Sequence, residues 1–502
     1  MFEKEKTAMA KELVTLANGE TLNYFCTWMT QNRVGEAKMA LPLNDPAYTG
    51  AGGARNAREQ MNEDFLFGKD GVAHLFREVR ASLYLLLDDG WDVPYGTNPT
   101  LDSSMFGSLE VDTARFPSLT GDPAERLKQL NERVIAAGWR GLGLWVSPQR
   151  KGMRPGEAVS LDEMRDYWRE RLEWSRFAGV RYWKVDWGML AAAEYRKCLT
   201  ELAAEVYPAL YVEQARGTGP INGEIGTERI RFAEGPQAES TARHYADSRL
   251  FRSYDVTDDR LSATTTLDRL AFLLSCDRGG FINCEDELYI GAALGCSVGV
   301  MRSRFGAKGF GFCRRLQEVD ATVRWMALAP PFCGGSYLES PELLYDSCYF
   351  EKGDTWYAAA QEKTVTQAAP AVMARNTPLP EVTVGENAPF VIASLNPARA
   401  YSIAAVRRYC HLTDTDAPEV SCRIGNAERI GIFGGFASLT LKPDTPPVRI
   451  TAESLFGGES ADVTSRVLRP DGTLAVDGAL LAELGAAADE SEPAVMLTLH
   501  AS

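Results

Sequence analysis

Between Leu22 and Pro331, short apolar runs alternate with longer amphipathic segments, and this alternation restricts the fold more than any other feature of the chain. Strand-like runs fall at Leu22–Trp28, Leu83–Leu87, Gly141–Val146, Val180–Val185, Ala209–Val212, Leu250–Tyr254, Gly280–Cys284 and Ser297–Met301. Helix-like stretches lie between them at Ala124–Ala137, Leu161–Phe177, Ala191–Val206, Arg260–Ser275 and Phe312–Leu328. Asp122-Pro123 reads as an N-cap followed by a first-turn proline. Ser160, with Glu163 three residues later, carries a capping-box signature. Strand–helix repetition of this kind builds a parallel sheet with helical crossovers. Eight strands fit an α/β fold of the (β/α)8 TIM-barrel type, whose usual size is about 250 residues plus insertions. A doubly wound sheet also alternates, but no GxGxxG follows the first strand and no P-loop is present. Pro42 to Asn62 and Pro94 to Thr120 read as long loops above the barrel, where barrel enzymes hold their sites.

After Pro330-Pro331 and Gly334-Gly335 the helical texture fades. Short strand candidates follow at Tyr345–Phe350, Trp356–Ala360, Val382–Val384, Phe390–Ser394, Ala400–Ala405, Ile430–Phe433, Ala437–Leu441, Val448–Ala452 and Val495–Leu499, with a helical excursion at Leu480 to Leu484. This pattern predicts a C-terminal antiparallel β-sandwich. The expected organisation is a catalytic barrel over residues 1–332 and a β-sandwich over 333–502.

Composition narrows the functional classes. The 502 residues carry 53 Lys plus Arg against 68 Asp plus Glu, a formal net charge of −15. A phosphate-tracking nucleic-acid binder is normally basic, so no nucleic-acid partner is expected. No run approaches the roughly 18 apolar residues of a membrane span, and the first residues lack the apolar core of a signal peptide. A soluble, cytoplasmic protein is the expectation, with self-association left open. The 10 Cys contain no CxxC pair and read as reduced, buried small hydrophobes. The 4 His show no HExxH or paired-Cys spacing, so no zinc site is expected.

The informative residues end the strand-like runs. Leu83–Leu87 leads into Asp88-Asp89-Gly90-Trp91, and Tyr182-Trp183-Lys184-Val185 into Asp186-Trp187. Tyr211-Val212 leads into Glu213, and Arg252-Ser253-Tyr254 into Asp255. In a barrel these ends converge on one mouth. Crowded carboxylates raise one another's pKa and cost stability, which points to function. Lys184 and Asp186 share a face, inward if Val185 packs outward. Competing readings are a helix cap or turn for Asp88-Asp89 and Asp258-Asp259, a buried structural ion pair for Lys184 with Asp186, and ordinary core for Trp28, Trp145 and Trp183. Carboxylates beside aromatic rings suit a sugar, because they accept from vicinal hydroxyls while a ring covers the C–H face. A retaining glycosidase needs two such groups, a nucleophile and a general acid/base.

The ordered strings resemble the retaining α-galactosidases of clan D, the melibiase-like glycoside hydrolases of families 27 and 36. Leu87–Trp91 is similar to the family's second-strand motif, and Gly141–Trp145 to the third-strand motif. Trp183–Asp186 is similar to its Lys-x-Asp nucleophile motif, and Arg252–Asp255 to its acid/base motif. The resemblance covers residues 20 to 330. It implies that Asp186 is the nucleophile and Asp255 the acid/base, with Asp258 a rival because the spacing after Arg252 is one residue short. It implies that Asp88 and Asp89 bind the 4- and 6-hydroxyls and Lys184 a 3- or 4-hydroxyl. Trp28 and Trp145 are implied to line the sugar, with Glu213 and Arg252 at the 2-hydroxyl. The expectation is a retaining exo-α-galactosidase acting on a small carbohydrate, and the resemblance implies that no metal or other cofactor is needed. The alternatives are a retaining α-glycosidase or transglycosidase for another sugar, or a non-catalytic sugar-binding barrel.

Overall fold

The computed structural model describes residues 14–16, 20–39, 51–98, 102–215, 230–231, 249–252, 280–302, 314–333, 338–339, 349–350, 372–407 and 415–501. Eight short strands pair in parallel: β1 (Tyr24–Cys26), β2 (Tyr84–Leu87), β3 (Gly141–Val146), β4 (Tyr182–Val185), β5 (Tyr211–Gln214), β6 (Leu250–Arg252), β7 (Phe281–Glu285) and β8 (Ser297–Val300). Each pairs with the next in sequence, and β8 returns to β1 through Gly299 opposite Tyr24. Gly299 is required there, because a Cβ would lie 2.6 Å from the Tyr24 ring that fills the interior.

Strand alternation sorts the side chains into two layers. Tyr24, Cys26, Tyr84, Leu86, Trp145 and Tyr182 form an inner cluster. Phe25, Leu85, Leu87, Leu144, Trp183 and Val185 belong to the outer core with the surrounding helices. The helices are α1 (Trp28–Met39), α2 (Ala51–Gln60), α3 (Glu63–Phe67), α4 (Pro123–Ala136), α5 (Leu161–Ala178), α6 (Ala193–Val206), α7 (Leu288–Leu294) and α8 (Gln317–Leu328). Both expected caps form as full capping boxes, Asp122 with Glu125 on α4 and Ser160 with Glu163 on α5. The helix expected at Arg260–Ser275 lies outside the described residues.

The segment Pro42 to Asn62, expected as a loop, contains α2. Gly52, Gly53 and Asn56 disfavour a helix, but the Ala, Arg, Glu and Gln that make up the rest of α2 are good helix formers, and tertiary burial adds to them. Ala57 and Arg58 are fully buried against the β2 end. Trp28 likewise opens α1 rather than closing a strand.

Apart from two short pairs, Val14–Thr15 with Phe332–Cys333 and Ile230–Arg231 with Tyr349–Phe350, the remaining strands form two further sheets. The larger is ordered β9 (Leu338–Glu339), β10 (Val372–Arg375), β12 (Phe390–Asn396), β13 (Ala400–Val406), β15 (Arg429–Gly434), β20 (Ala494–His500), β17 (Arg449–Ser454), β18 (Ala461–Asp462). The smaller is β11 (Glu381–Thr383), β14 (Glu419–Gly425), β16 (Ser438–Pro443), β19 (Leu474–Asp477). The sheets are mixed, which corrects the purely antiparallel expectation: β10 with β12, β13 with β15, and β14 with β16 are parallel. The chain crosses between sheets from β13 through β17, so successive strands of one sheet enter it in the same direction. Ile403, Ile432 and Leu497 of the larger sheet share a core with Cys422, Leu441 and Val476 of the smaller. The larger sheet's other face, including Phe390, Ala404, Phe433 and Met496, joins the barrel's outer core. The candidate strand Trp356–Ala360 lies outside the described residues.

Candidate active site

Parallel pairing brings the carboxyl ends of all eight strands to one side of the ring, and the acidic residues meet there. On β4, Trp183 and Val185 face outward, so Lys184 faces inward. The Trp183 indole donates to Ser175 Oγ on α5 at 3.1 Å, which makes this tryptophan core.

Lys184 donates to Asp88 Oδ2 at 3.0 Å, and the Cys26 thiol reaches the same oxygen at 3.1 Å. The other Asp88 oxygen accepts the Asp89 backbone N–H at 2.9 Å. Burial pushes the Asp88 carboxyl up, but Lys184 and these hydrogen bonds outweigh it and hold it below its ordinary value. Burial alone would lower Lys184, yet Asp88, Cys26 and Glu285 hold it well above its ordinary value. The pair is therefore ionic at neutral pH.

Asp89 turns the other way. Arg58 of α2 grips it in a fork, Nε to Oδ1 at 2.7 Å and Nη2 to Oδ2 at 2.5 Å. Full burial nonetheless pushes its carboxyl up to about 6, against Arg58 and with help from Asp88 and Asp186.

Asp186 follows β4 and keeps 20% of its side chain exposed, whereas Asp88 and Asp89 are nearly closed off. Trp145 Nε1 donates to Asp186 Oδ2 at 3.0 Å, and Arg252 Nη2 lies 3.8 Å from Oδ1. The backbone is fixed as well: Asp186 N–H donates to Val146 O at 3.0 Å, and Arg196 Nη2 donates to Asp186 O at 2.5 Å. An indole donor and a nearby guanidinium both favour a carboxylate over a carboxylic acid.

Beneath the mouth, Glu213 is fully buried, with Tyr182 OH 2.7 Å from one oxygen and Tyr24 OH 3.2 Å from the other. Burial raises it above the usual carboxylate range. Glu285, at the end of β7, is a residue that the strand-end reading missed. Its two oxygens each lie 3.2 Å from Arg252 Nη1, and Oε1 is also 2.7 Å from Tyr24 OH and 3.7 Å from Lys184 Nζ. Asn283 and Glu285 alternate inward as Lys184 does on β4, so the signal was present in the sequence. Arg58 was the second omission, hidden in the segment taken for a loop.

Asp88, Asp89, Trp145, Lys184, Asp186, Glu213 and Arg252 thus come together at one end of the barrel. Trp28 is half-buried in the inner cluster at the start of α1. Asp255 and Asp258 lie outside the described residues. Among the described residues no group of His, Cys, Asp and Glu is arranged to hold a metal ion, and no helix is long and apolar enough to cross a membrane.

The geometry defines an α/β protein whose parallel ring of strands carries an acid-lined mouth. No protein-family model and no curated protein matches the chain. Solved structures resemble it distantly. An Anoxybacillus α-amylase shares 9% identity over 96% of this chain and 98% of its own, with a TM-score of 0.39. A glucosidase from Croceicoccus marinus shares 10% over 86% and 92%, with a TM-score of 0.30. The carboxyl transferase domain of Rhizobium etli pyruvate carboxylase shares 14% identity over 53% of this chain, at a TM-score of 0.29, and the chain spans only 35% of that protein. Likenesses this weak carry no argument about activity, which has to come from the residues themselves.

Proposed function

We propose that the chain is a retaining exo-α-galactosidase that removes a terminal α-linked galactose by double displacement. The observation that carries this reading is the setting of Asp186. It is a partly open carboxylate fixed by Trp145 and the chain backbone, above the ionic pair of Lys184 and Asp88. The order of motifs along the sequence, resembling clan D glycosidases, supplies the sugar and the roles.

In this reading an Asp186 oxygen attacks the anomeric carbon as the bond to the leaving oxygen breaks. Asp255 protonates that oxygen. Asp255 then takes a proton from water, which attacks the same carbon and releases Asp186, so the configuration is retained. Asp88 accepts from a sugar hydroxyl while Lys184 donates to a neighbouring one. Asp89 completes the 4- and 6-hydroxyl contacts, and Arg252 serves the 2-hydroxyl side, whereas Glu213, expected there, is buried behind Tyr182 and Tyr24. Trp28 covers the ring, and the buried Trp145 acts through its donation to Asp186.

One observation favours a second sugar. Both carboxylates are already engaged, Asp89 in the Arg58 fork and Asp88 by Lys184, Cys26 and the Asp89 N–H, which restricts how they can share a hydroxyl pair. A retaining α-glycosidase or transglycosidase for another hexose or pentose fits that constraint.

The test is turnover of aryl α-galactosides by the wild type and by Asp186→Asn. The expected result is loss of turnover by at least about 10³-fold, or roughly 4 kcal/mol of barrel-mouth chemistry, with the far-ultraviolet spectrum preserved. Wild-type turnover by the variant would reject Asp186 as nucleophile. Turnover of a different aryl α-glycoside by the wild type selects the second sugar. Galactose binding without turnover of any glycoside selects a non-catalytic barrel.

A further inference from the structure

Trp187 stands apart from the other tryptophans near the mouth. Trp91, Trp145 and Trp183 are at most 1% exposed, whereas Trp187 is 39% exposed. Exposing that much of an indole forfeits burial that any core position would supply. The side chain is not loose. Its ring packs edge-on against Phe106 at 4.9 Å and Trp145 at 5.3 Å between centroids. Phe106 and Trp145 in turn meet edge-on at 6.2 Å, so three rings brace one another.

The backbone around it is equally constrained. Asp186 is tied to Val146, Met189 N–H donates to Gln149 Oε1 at 3.2 Å, and Leu190 N–H donates to Pro148 O at 3.0 Å. Gly188 allows the close approach: a Cβ there would lie 2.6 Å from Ser147 Oγ and 2.8 Å from Pro148 Cδ. The indole Nε1 has no hydrogen-bond partner among the described residues. Trp145 joins this shelf directly to the reacting group, because the same ring that supports Trp187 donates to Asp186 Oδ2 at 3.0 Å.

We infer that Trp187, braced by Phe106 and Trp145, is the platform for the leaving-group side of the substrate and selects a leaving group that is itself a ring, a second sugar or an aryl group. The inference rests on the glycosidase reading above. A pre-braced, exposed aromatic face gains contact with a ring's C–H or π surface at little ordering cost. A leaving group without a ring gains nothing from it.

The experiment compares kcat/KM for galactosyl-α-1,6-glucose with kcat/KM for α-galactosyl fluoride, whose leaving group has no ring. In Trp187→Ala the disaccharide-to-fluoride ratio is expected to fall about 10-fold, the equivalent of about 1.4 kcal/mol. In Trp187→Phe it is expected to stay within about 2-fold of wild type, because a ring is retained. A ratio equal to wild type in Trp187→Ala overturns the inference, whether both rates hold or both fall together. If the wild type turns over neither substrate, the glycosidase reading itself fails and the inference goes with it.

Discussion

At the residue scale, the site was legible where alternation on one strand forced it and illegible where the partner came from afar. Lys184 and Asp186 could be placed together because Val185 between them is apolar and packs outward. Asp88 and Asp89 looked equivalent in the sequence, yet one meets Lys184 and the other Arg58, a residue in a helix that no periodicity announced. Asp92 shows a further consequence of burial. Its Oδ2 accepts from Leu109 N–H at 3.1 Å and from Ser108 Oγ at 3.4 Å, while Oδ1 has no partner. Burial therefore pushes it up to about 7, against those hydrogen bonds and with a contribution from Asp89. The unfolded carboxyl titrates near pH 4, so between roughly pH 4 and 7 the native state holds a proton that the unfolded state has lost. Stability due to this group is full at low pH and declines as pH rises through that window. Asp92→Asn removes the titration while keeping the shape. Relative to wild type it should gain about 2.5 kcal/mol of stability between pH 5 and pH 8, the part of a shift of about three units that falls inside that range. Urea midpoints at the two pH values measure this, and parallel profiles for the two proteins would exclude it.

At the scale of elements, the sequence was read well where the stopping signals are local. Asp122-Pro123 and Ser160-Glu163 define the starts of α4 and α5 through contacts three residues apart, and both form as read. The residues are exposed, so capping can be tested without disturbing a core. Asp122→Ala should cost about 1 kcal/mol, since the Glu125 N–H loses its side-chain acceptor, while the Glu125 carboxylate keeps the backbone N–H of residue 122. Thermal unfolding of the variant checks this, with Asp122→Ser as the control expected to recover most of the loss. Elements were missed where long-range burial decides the outcome. The α2 segment begins with Gly52 and Gly53, which read as loop, yet Arg58 and Ala57 further along it are buried by the β2 end and Arg115. The strand Val372–Arg375 was missed for a related reason. Arg375 is buried inside the fold, donating to Leu294 O at 2.7 Å and to Phe332 O at 3.0 Å, so a charged residue sits where a pattern reader expects an edge.

At the scale of the whole molecule, the change of texture near Pro331 separates two kinds of sequence but not two cores. Phe433 of β15 is fully buried, with its ring 5.0 Å from Tyr289 of α7 and 6.0 Å from Trp325 of α8. Trp325 Nε1 donates to Ser402 Oγ on β13 at 3.0 Å, and Tyr289 OH donates to Glu492 O at 2.8 Å. The larger sheet therefore closes the outer core of the barrel, which is why neither part of the chain has an apolar layer of its own on that side. A continuous core couples the unfolding of its two sides, because opening either one exposes the same apolar surface. Nine of the 10 tryptophans precede residue 333, so intrinsic fluorescence reports on the barrel side. Phe433→Ala creates a cavity on the sheet side and should cost about 3–5 kcal/mol. If the core is cooperative, this substitution lowers the fluorescence midpoint in urea and, by the same amount, the midpoint for hydrogen-exchange protection in the Ala494–His500 strand. A fluorescence midpoint that stays at the wild-type value while that strand loses protection earlier would mean that the barrel stands without the sheet. The acidic mouth would then owe its geometry to the eight parallel strands and their helices alone.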